Sequence, residues 1–225
     1  MQRPHDMTDT LPTLLVIRHG ETQWNVAGRL QGSRDTPLTA NGVRQAQAVA
    51  VRLSETVAGL QDAAFWVSPL GRARQTASIL ADIWAVPFDR FAEEPRLAER
   101  SYGVWEGRLH DEIERDLPEQ YGANASDPWE YAMPSGESRT GLTGRLQAWL
   151  QTLDPARPHI AVTHSGCLRA LRGLYTRASR AEILAYREPQ TAAFLLTDRA
   201  ERLLDVAPNL LKAFGCEGEG RTVWI

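Results

Sequence analysis

The sequence predicts an α/β protein in which short apolar strands alternate with amphipathic helices, and three observations carry that reading. Thr13 to Ile17 is an aliphatic and β-branched run that ends directly in Arg18-His19-Gly20, the pattern of a buried parallel strand opening into a glycine turn. Val43, Ala46, Ala50, Leu53 and Val57 then recur at spacings of three and four, the apolar stripe of a helix packed on a sheet. Ile160 to Thr163 repeats the first pattern and ends in His164-Ser165-Gly166. Two strands of one chain therefore finish in a histidine beside a glycine.

Bulk properties narrow the class. The chain of 225 residues, 43% hydrophobic and 24% charged, has ordinary globular composition and can bury one sizeable core. A formal net charge of -3 argues against a nucleic-acid or anionic-membrane surface. Cys167 and Cys216 are too few and too far apart for a disulfide scaffold or a zinc cage. Met1 to Pro12 is polar, without the apolar centre of a secretory signal, and no apolar run reaches eighteen residues. The expectation is a cytoplasmic protein with a disordered lead-in at 1–12 and a single domain over 13–225.

The elements follow in order. Gly28 to Leu38 is rich in turn formers and reads as a loop over the end of the first strand. Thr39 caps the helix that follows, with Gln45 and Gln47 expected on its solvated face. A second strand, Ala63 to Val67, leads into Ser68-Pro69, read as N-cap and first helical position. This places Arg72 in the opening turn, where unpaired N–H groups and the helix dipole favour an anion. Arg74 reads as a surface arginine. A third strand is expected near Pro87 to Phe91, then a Gly-bounded loop holding Glu99. Residues 108–134 carry a short helical stretch near Leu109 to Asp116 and then prolines and aromatics, a lid-like insertion or a hydrophobic patch that holds itself down. Ser135 to Ser138 opens a helix to about Leu153 with Leu142, Leu146, Trp149 and Leu153 buried. Cys167 starts the helix after His164 as a packing residue. Thr191 to Leu196 and Arg202 to Val206 form an edge hairpin.

Ligands of open α/β sheets bind beyond the carboxyl ends of the strands, which is where Arg18 and His19 fall. A guanidinium beside an imidazole fits an anion, most plausibly phosphate. Arg-His-Gly alone is more often a turn than a catalyst, and Glu99 alone reads as a solvated loop carboxylate. The order Arg18-His19-Gly20, Arg72, Glu99, His164 changes this, because each block stands at a strand end or helix start. In those blocks the chain resembles the histidine phosphatase superfamily, in its phosphoglycerate-mutase-like branch, from about Leu14 to Tyr175.

The resemblance implies a three-layer, mostly parallel mixed sheet with helices on both faces. It implies that His19 is a nucleophile that becomes phosphorylated, and that Glu99 is the proton donor. Arg18, Arg72 and His164 match the phosphate pocket, with Asn25 and the backbone of Gly32 as further contacts. It also implies no cofactor and no metal. The substrate expected is a small phosphomonoester. Phosphatase and mutase members share the pocket, and Ala98 and Ser101 stand where mutases carry Asn and His. The stretch 108–120 lacks the mutases' paired arginines, which favours hydrolysis. A cofactor-dependent phosphoglycerate mutase and a non-catalytic phosphate-binding module stay as alternatives, although the module would be expected to have lost His19 or Glu99.

Overall fold

The structure, a computed structural model, describes residues 11–57, 59–197 and 199–216. In chain order its strands and α-helices are β1 (Leu14–Arg18), α1 (Gln23–Ala27), α2 (Ala40–Thr56), β2 (Ala64–Val67), α3 (Gly71–Ile83), β3 (Phe91–Glu93), α4 (His110–Asp116), α5 (Pro118–Ser126), α6 (Arg139–Leu150), β4 (His159–Thr163), α7 (Ser165–Thr176), α8 (Arg180–Ala185), β5 (Ala192–Thr197), β6 (Ala200–Asp205) and α9 (Pro208–Ala213). The strands make one sheet in the order β3-β2-β4-β1-β5-β6. The first four run parallel, while β5 and β6 form an antiparallel hairpin against β1.

Every residue of β1 and β4 is buried, as strands covered on both faces must be. Their alternate residues feed two separate cores. Leu15, Ile17, Ile160 and Val162 join Val49, Ala50 and Leu53 of α2 and Ala73, Ala77 and Leu80 of α3. Leu14, Val16 and Ala161 join Leu142, Leu146 and Trp149 of α6 and Leu168, Leu171 and Tyr175 of α7. This is the three-layer arrangement expected. A third, smaller cluster of Leu30, Trp105, Ile113 and Met133, flanked by Tyr121 and Tyr131, lies outside the sheet and holds the 108–134 segment together.

Several local expectations need correction. Ser68 does not cap α3, which starts at Gly71 with Leu70 as N-cap; the amides of Gly71 and Arg72 are instead met by the carboxylate of Asp35, a partner too distant in sequence to be read locally. Gln45 is fully buried, with its Oε1 accepting from the backbone N of Glu21 at 2.9 Å. The third strand lies at Phe91–Glu93, because Phe88–Arg90 coils into a 3-10 turn. The 108–134 connection contains a second helix, α5, opened by Pro118 at its first turn. Helices α1, α8 and α9 were not anticipated. Most of the lead-in at 1–12 lies outside the described residues, as does Asp198 in the hairpin turn.

Candidate active site

The two histidines meet because their strands do. β1 and β4 pair in parallel with Arg18 opposite Thr163, and the ladder runs one step further, His19 N donating to Thr163 O at 3.0 Å. The next residue along each strand is therefore a histidine. The rings of His19 and His164 lie 5.2 Å apart between centroids, inclined at 58°. Gly20 lets β1 end this close to α2: a Cβ there would stand 2.3 Å from the carbonyl oxygen of Gly42.

Hydrogen bonds fix the state of His19. Its Nδ1 lies 2.7 Å from the carbonyl oxygen of Gly20, and a carbonyl only accepts, so Nδ1 carries the proton. Arg72 Nε donates to Nε2 at 3.3 Å, so Nε2 carries a lone pair. Burial, then the charges of Arg72 and Arg18, hold the His19 pKa well below the ordinary histidine value. The imidazole is neutral, with its basic nitrogen on the arginine side. His164 is likewise pushed well down, first by burial and then by Arg72. Its Nε2 bonds Ser68 Oγ at 2.7 Å, while its buried Nδ1 has no hydrogen-bond partner among the described residues.

Arg72 is itself tightly held. Its Nη2 donates to Gly32 O at 2.8 Å, and its Nη1 to Arg34 O at 2.7 Å and to Asp35. Gly32 adopts φ +59°, and a Cβ there would meet Glu106 Oε1 at 2.3 Å. The buried Glu106 carboxylate accepts from Ser33 N at 2.8 Å and Tyr102 N at 3.0 Å. It thereby ties the 31–34 turn to the loop that follows Glu99. Arg18 Nη1 donates to Glu188 O at 2.7 Å. The Asn25 carboxamide oxygen caps its own helix by accepting from Thr22 N, which leaves its NH2 as a donor. Glu99 accepts from Arg100 N at 2.8 Å and from Gly166 N at 2.9 Å.

One cleft collects these groups. Arg18, His19, Asn25, Gly32, Arg72 and Glu99 all line it, whereas His164 is fully buried and not among the lining residues, meeting the site through its ring contact with His19. Trp129 of the lid-like segment lines it too, and so do Arg100, Tyr102, Arg139 and Arg169, none of these four anticipated as site residues. Arg100 and Tyr102 stand within the Glu99 block, and Arg169 falls one turn after Ser165 on α7, the only signals that point to them. Glu188 and Gln190 carry no local pattern. Yet Glu188 accepts from Ser165 Oγ at 2.9 Å and Arg169 Nε at 2.8 Å, and Gln190 Nε2 donates to Asn25 Oδ1 at 3.1 Å. Cys167 is a packing residue as expected, its thiol buried and raised to about 12 by that burial.

A neutral imidazole presenting Nε2 to Arg72, with Arg18 and a carboxylate in the same cleft, fits a phosphoryl-handling centre of the histidine type. The family model of the histidine phosphatase superfamily (branch 1) matches residues 14–203, and the chain belongs to that superfamily. It is 38% identical over 173 residues to the "Probable phosphoglycerate mutase GpmB" of Yersinia pestis (strain Pestoides F), covering 73% of this chain and 77% of that one. It is 36% identical over 174 residues to a metal-independent phosphoserine phosphatase of Arabidopsis thaliana, covering 75% and 70%. Among solved structures it resembles the α-ribazole phosphatase of Shigella flexneri with a TM-score of 0.72, at 29% identity over 86% of this chain and 95% of that one. Among the described residues no helix is long and apolar enough to cross a membrane.

Proposed function

We propose that the protein hydrolyses small phosphomonoesters through a phosphohistidine on His19. The observation that carries this is the pair of bonds fixing His19 as its neutral tautomer, with Nε2 basic and facing Arg72. Arg18, Arg72 and the NH2 of Asn25 surround the non-bridging phosphoryl oxygens, where charge stabilisation does most of the catalytic work. A phosphoryl oxygen takes over the long Arg72 Nε bond as it enters, which frees the Nε2 lone pair for attack. His164 supports the phosphoryl group through its otherwise unpartnered Nδ1.

Nε2 attacks phosphorus, the ester P–O bond breaks, and Glu99, as general acid, delivers a proton to the departing alkoxide. Water then attacks the phosphohistidine. Glu99 takes the proton from that water, His19 leaves as the neutral imidazole, and inorganic phosphate departs. The alternation needs a carboxyl that both donates and accepts, and Glu99 is the one carboxylate on the cleft wall among the described residues.

We read residues from 13 onward as one catalytic unit, with 108–134 as a lid whose own small core seats Leu30 and Trp105 against the cleft. The unpaired state of Cys167 and Cys216 suits a reducing cytoplasmic setting. Hydrolysis is favoured over mutase activity by Ala98 and Ser101 and by the absence of paired arginines in 108–120. The test is parallel measurement of inorganic phosphate release from a panel of phosphomonoesters and of 3-phosphoglycerate isomerisation with its bisphosphate cofactor. Phosphate release with negligible isomerisation is expected; dominant isomerisation overturns the reading.

A further inference from the structure

Gln45 on α2 is fully buried, yet only half of its carboxamide is used. Its Oε1 accepts from Glu21 N at 2.9 Å, while its Nε2 has no hydrogen-bond partner among the described residues. An unmet buried N–H group is costly, and a methionine would fill a similar space without it. The side chain therefore serves through its oxygen. Glu21 N–H and Gly20 C=O belong to one peptide unit, planar and trans. The carbonyl of that unit accepts from His19 Nδ1 at 2.7 Å, and its N–H donates to Gln45. The two bonds leave opposite sides of one plane, so the plane cannot turn without losing both.

Donation by the N–H also polarises the carbonyl across the shared amide and strengthens its bond to the ring. Turned over, the unit would present N–H instead of C=O to Nδ1. A donor there moves the imidazole proton to Nε2, the atom that has to attack phosphorus. Gly20 has no Cβ to resist such a rotation. The supports nearby hold other groups. Gly20 N donates to Thr76 Oγ1 at 3.1 Å and Gln190 Nε2 to His19 O at 3.3 Å, which fixes the preceding peptide unit. Thr39 N donates to Glu21 O at 2.9 Å and Thr39 Oγ1 to Glu21 Oε1 at 2.6 Å, which fixes the following one. Gly42, one turn before Gln45 on the same face of α2, lets the helix close on this segment: a Cβ there would stand 2.1 Å from Glu21 O. Among the described residues, Gln45 and His19 are the side chains bonded to the unit between Gly20 and Glu21.

We propose that Gln45 is a positioning residue for the nucleophile, holding the Gly20–Glu21 peptide so that Gly20 O keeps the imidazole proton of His19 on Nδ1. The proposal rests on the reading of His19 as the attacking residue and adds what holds it in its reactive form. The effect is greatest in the loaded site. There a phosphoryl oxygen takes over the Arg72 Nε bond to Nε2, and Gly20 O is left to hold the tautomer.

The test reads the tautomer directly, by NMR of the imidazole nitrogens, with the His19 signals assigned from their loss in His19→Ala. In the wild-type protein the lone pair is expected on Nε2. In Gln45→Met the proton is shared between the two nitrogens, and kcat falls about tenfold to a hundredfold with KM little changed, the range for a lost bond that leaves a buried donor unmet. Gln45→Glu keeps an acceptor oxygen at the same reach, and it recovers the Nδ1-protonated form and most of kcat. Val49→Ala removes packing one turn further along α2, in the core shared with α3; it lowers the denaturation midpoint and leaves tautomer and kcat in place. A folded Gln45→Met protein with the wild-type tautomer overturns the proposal. So does a Gln45→Glu protein no more active than Gln45→Met, or an equal kinetic loss in Val49→Ala. If neither Gln45 variant folds, hydrogen exchange of the wild-type protein decides. Glu21 N–H is expected to exchange only through global unfolding, and rapid exchange overturns the bond to Gln45. A tautomer that shifts as expected, in a protein that releases no phosphate from any ester, leaves the positioning role standing and removes the hydrolase reading instead.

Discussion

Arg72 Nε points at His19 Nε2 across 3.3 Å while the opposite ring nitrogen is locked to Gly20 O at 2.7 Å. The arginine therefore selects the tautomer of the nucleophile as well as lining the phosphate pocket. Its Nη1 and Nη2 also hold Gly32 O, Arg34 O and Asp35, so one side chain sets both the reactive atom and the turn that covers it. Arg72→Ala is expected to lower kcat about a hundredfold to a thousandfold. Arg72→Lys recovers little of this, since an ammonium cannot span that set of acceptors. Steady-state kinetics on one phosphomonoester decides it; a lysine variant near wild type contradicts the account.

The two histidines give a defined pH response. Their folded-state pKa values lie below the unfolded value of about 6.5, so the unfolded chain binds more protons below that pH. Stability is then full above about pH 6.5 and falls as the pH drops further. Denaturant titrations at pH 7.5 and 5.0 should show a lower midpoint in acid. The ring signals of His19 and His164 should stay those of neutral imidazoles from pH 8 to 6 by NMR, and a titration centred near 6.5 for either would be inconsistent with the buried site.

Glu99 can be tested through its neighbour as well as directly. A Cβ on Gly166 would lie 2.4 Å from Glu99 Oε1, so Gly166→Ala must displace the carboxylate. Both Gly166→Ala and Glu99→Gln should depress hydrolysis of alkyl phosphates strongly, by about a hundredfold or more for Glu99→Gln. p-Nitrophenyl phosphate, whose leaving group departs without a proton, should lose much less in the first step. An equal loss on both substrates would remove Glu99 from the role of acid.

Trp105 is fully buried in the small outer cluster, while Trp149 is fully buried in the core beneath the sheet. Truncation of either to alanine should cost about 3–5 kcal/mol. Only Trp105→Ala should also raise KM, because its cluster includes Leu30 on the cleft wall. Denaturation and kinetics on the two variants compare the outer cluster with the main core.

Much of the inner pocket was legible because strand pairing and local pattern coincide there. Two apolar runs each end in histidine, and parallel pairing of such runs brings their ends together. The start of α3 was misread because its cap comes from Asp35, over thirty residues away, and a local Ser-Pro pair imitated a cap. Gln45 looked solvated because a helix pattern shows that a side chain is polar but not that a buried amide at Glu21 awaits it. Glu188, Gln190, Arg100 and Arg139 act through tertiary partners alone. Charge in a sequence marks an arginine, and only the fold shows whether its carboxylate is present, as for Arg169, or missing, as for Arg100.

The most direct measurement is rapid-mixing mass spectrometry of the protein with substrate, quenched in alkaline denaturant and followed by peptide mapping under alkaline conditions that preserve phosphoramidates. The account predicts a transient phosphoryl adduct on the peptide containing His19, attached at Nε2, lost in acid and absent from His19→Ala. Steady hydrolysis by the wild-type protein with no adduct at any time, or an adduct that persists in His19→Ala, would contradict it.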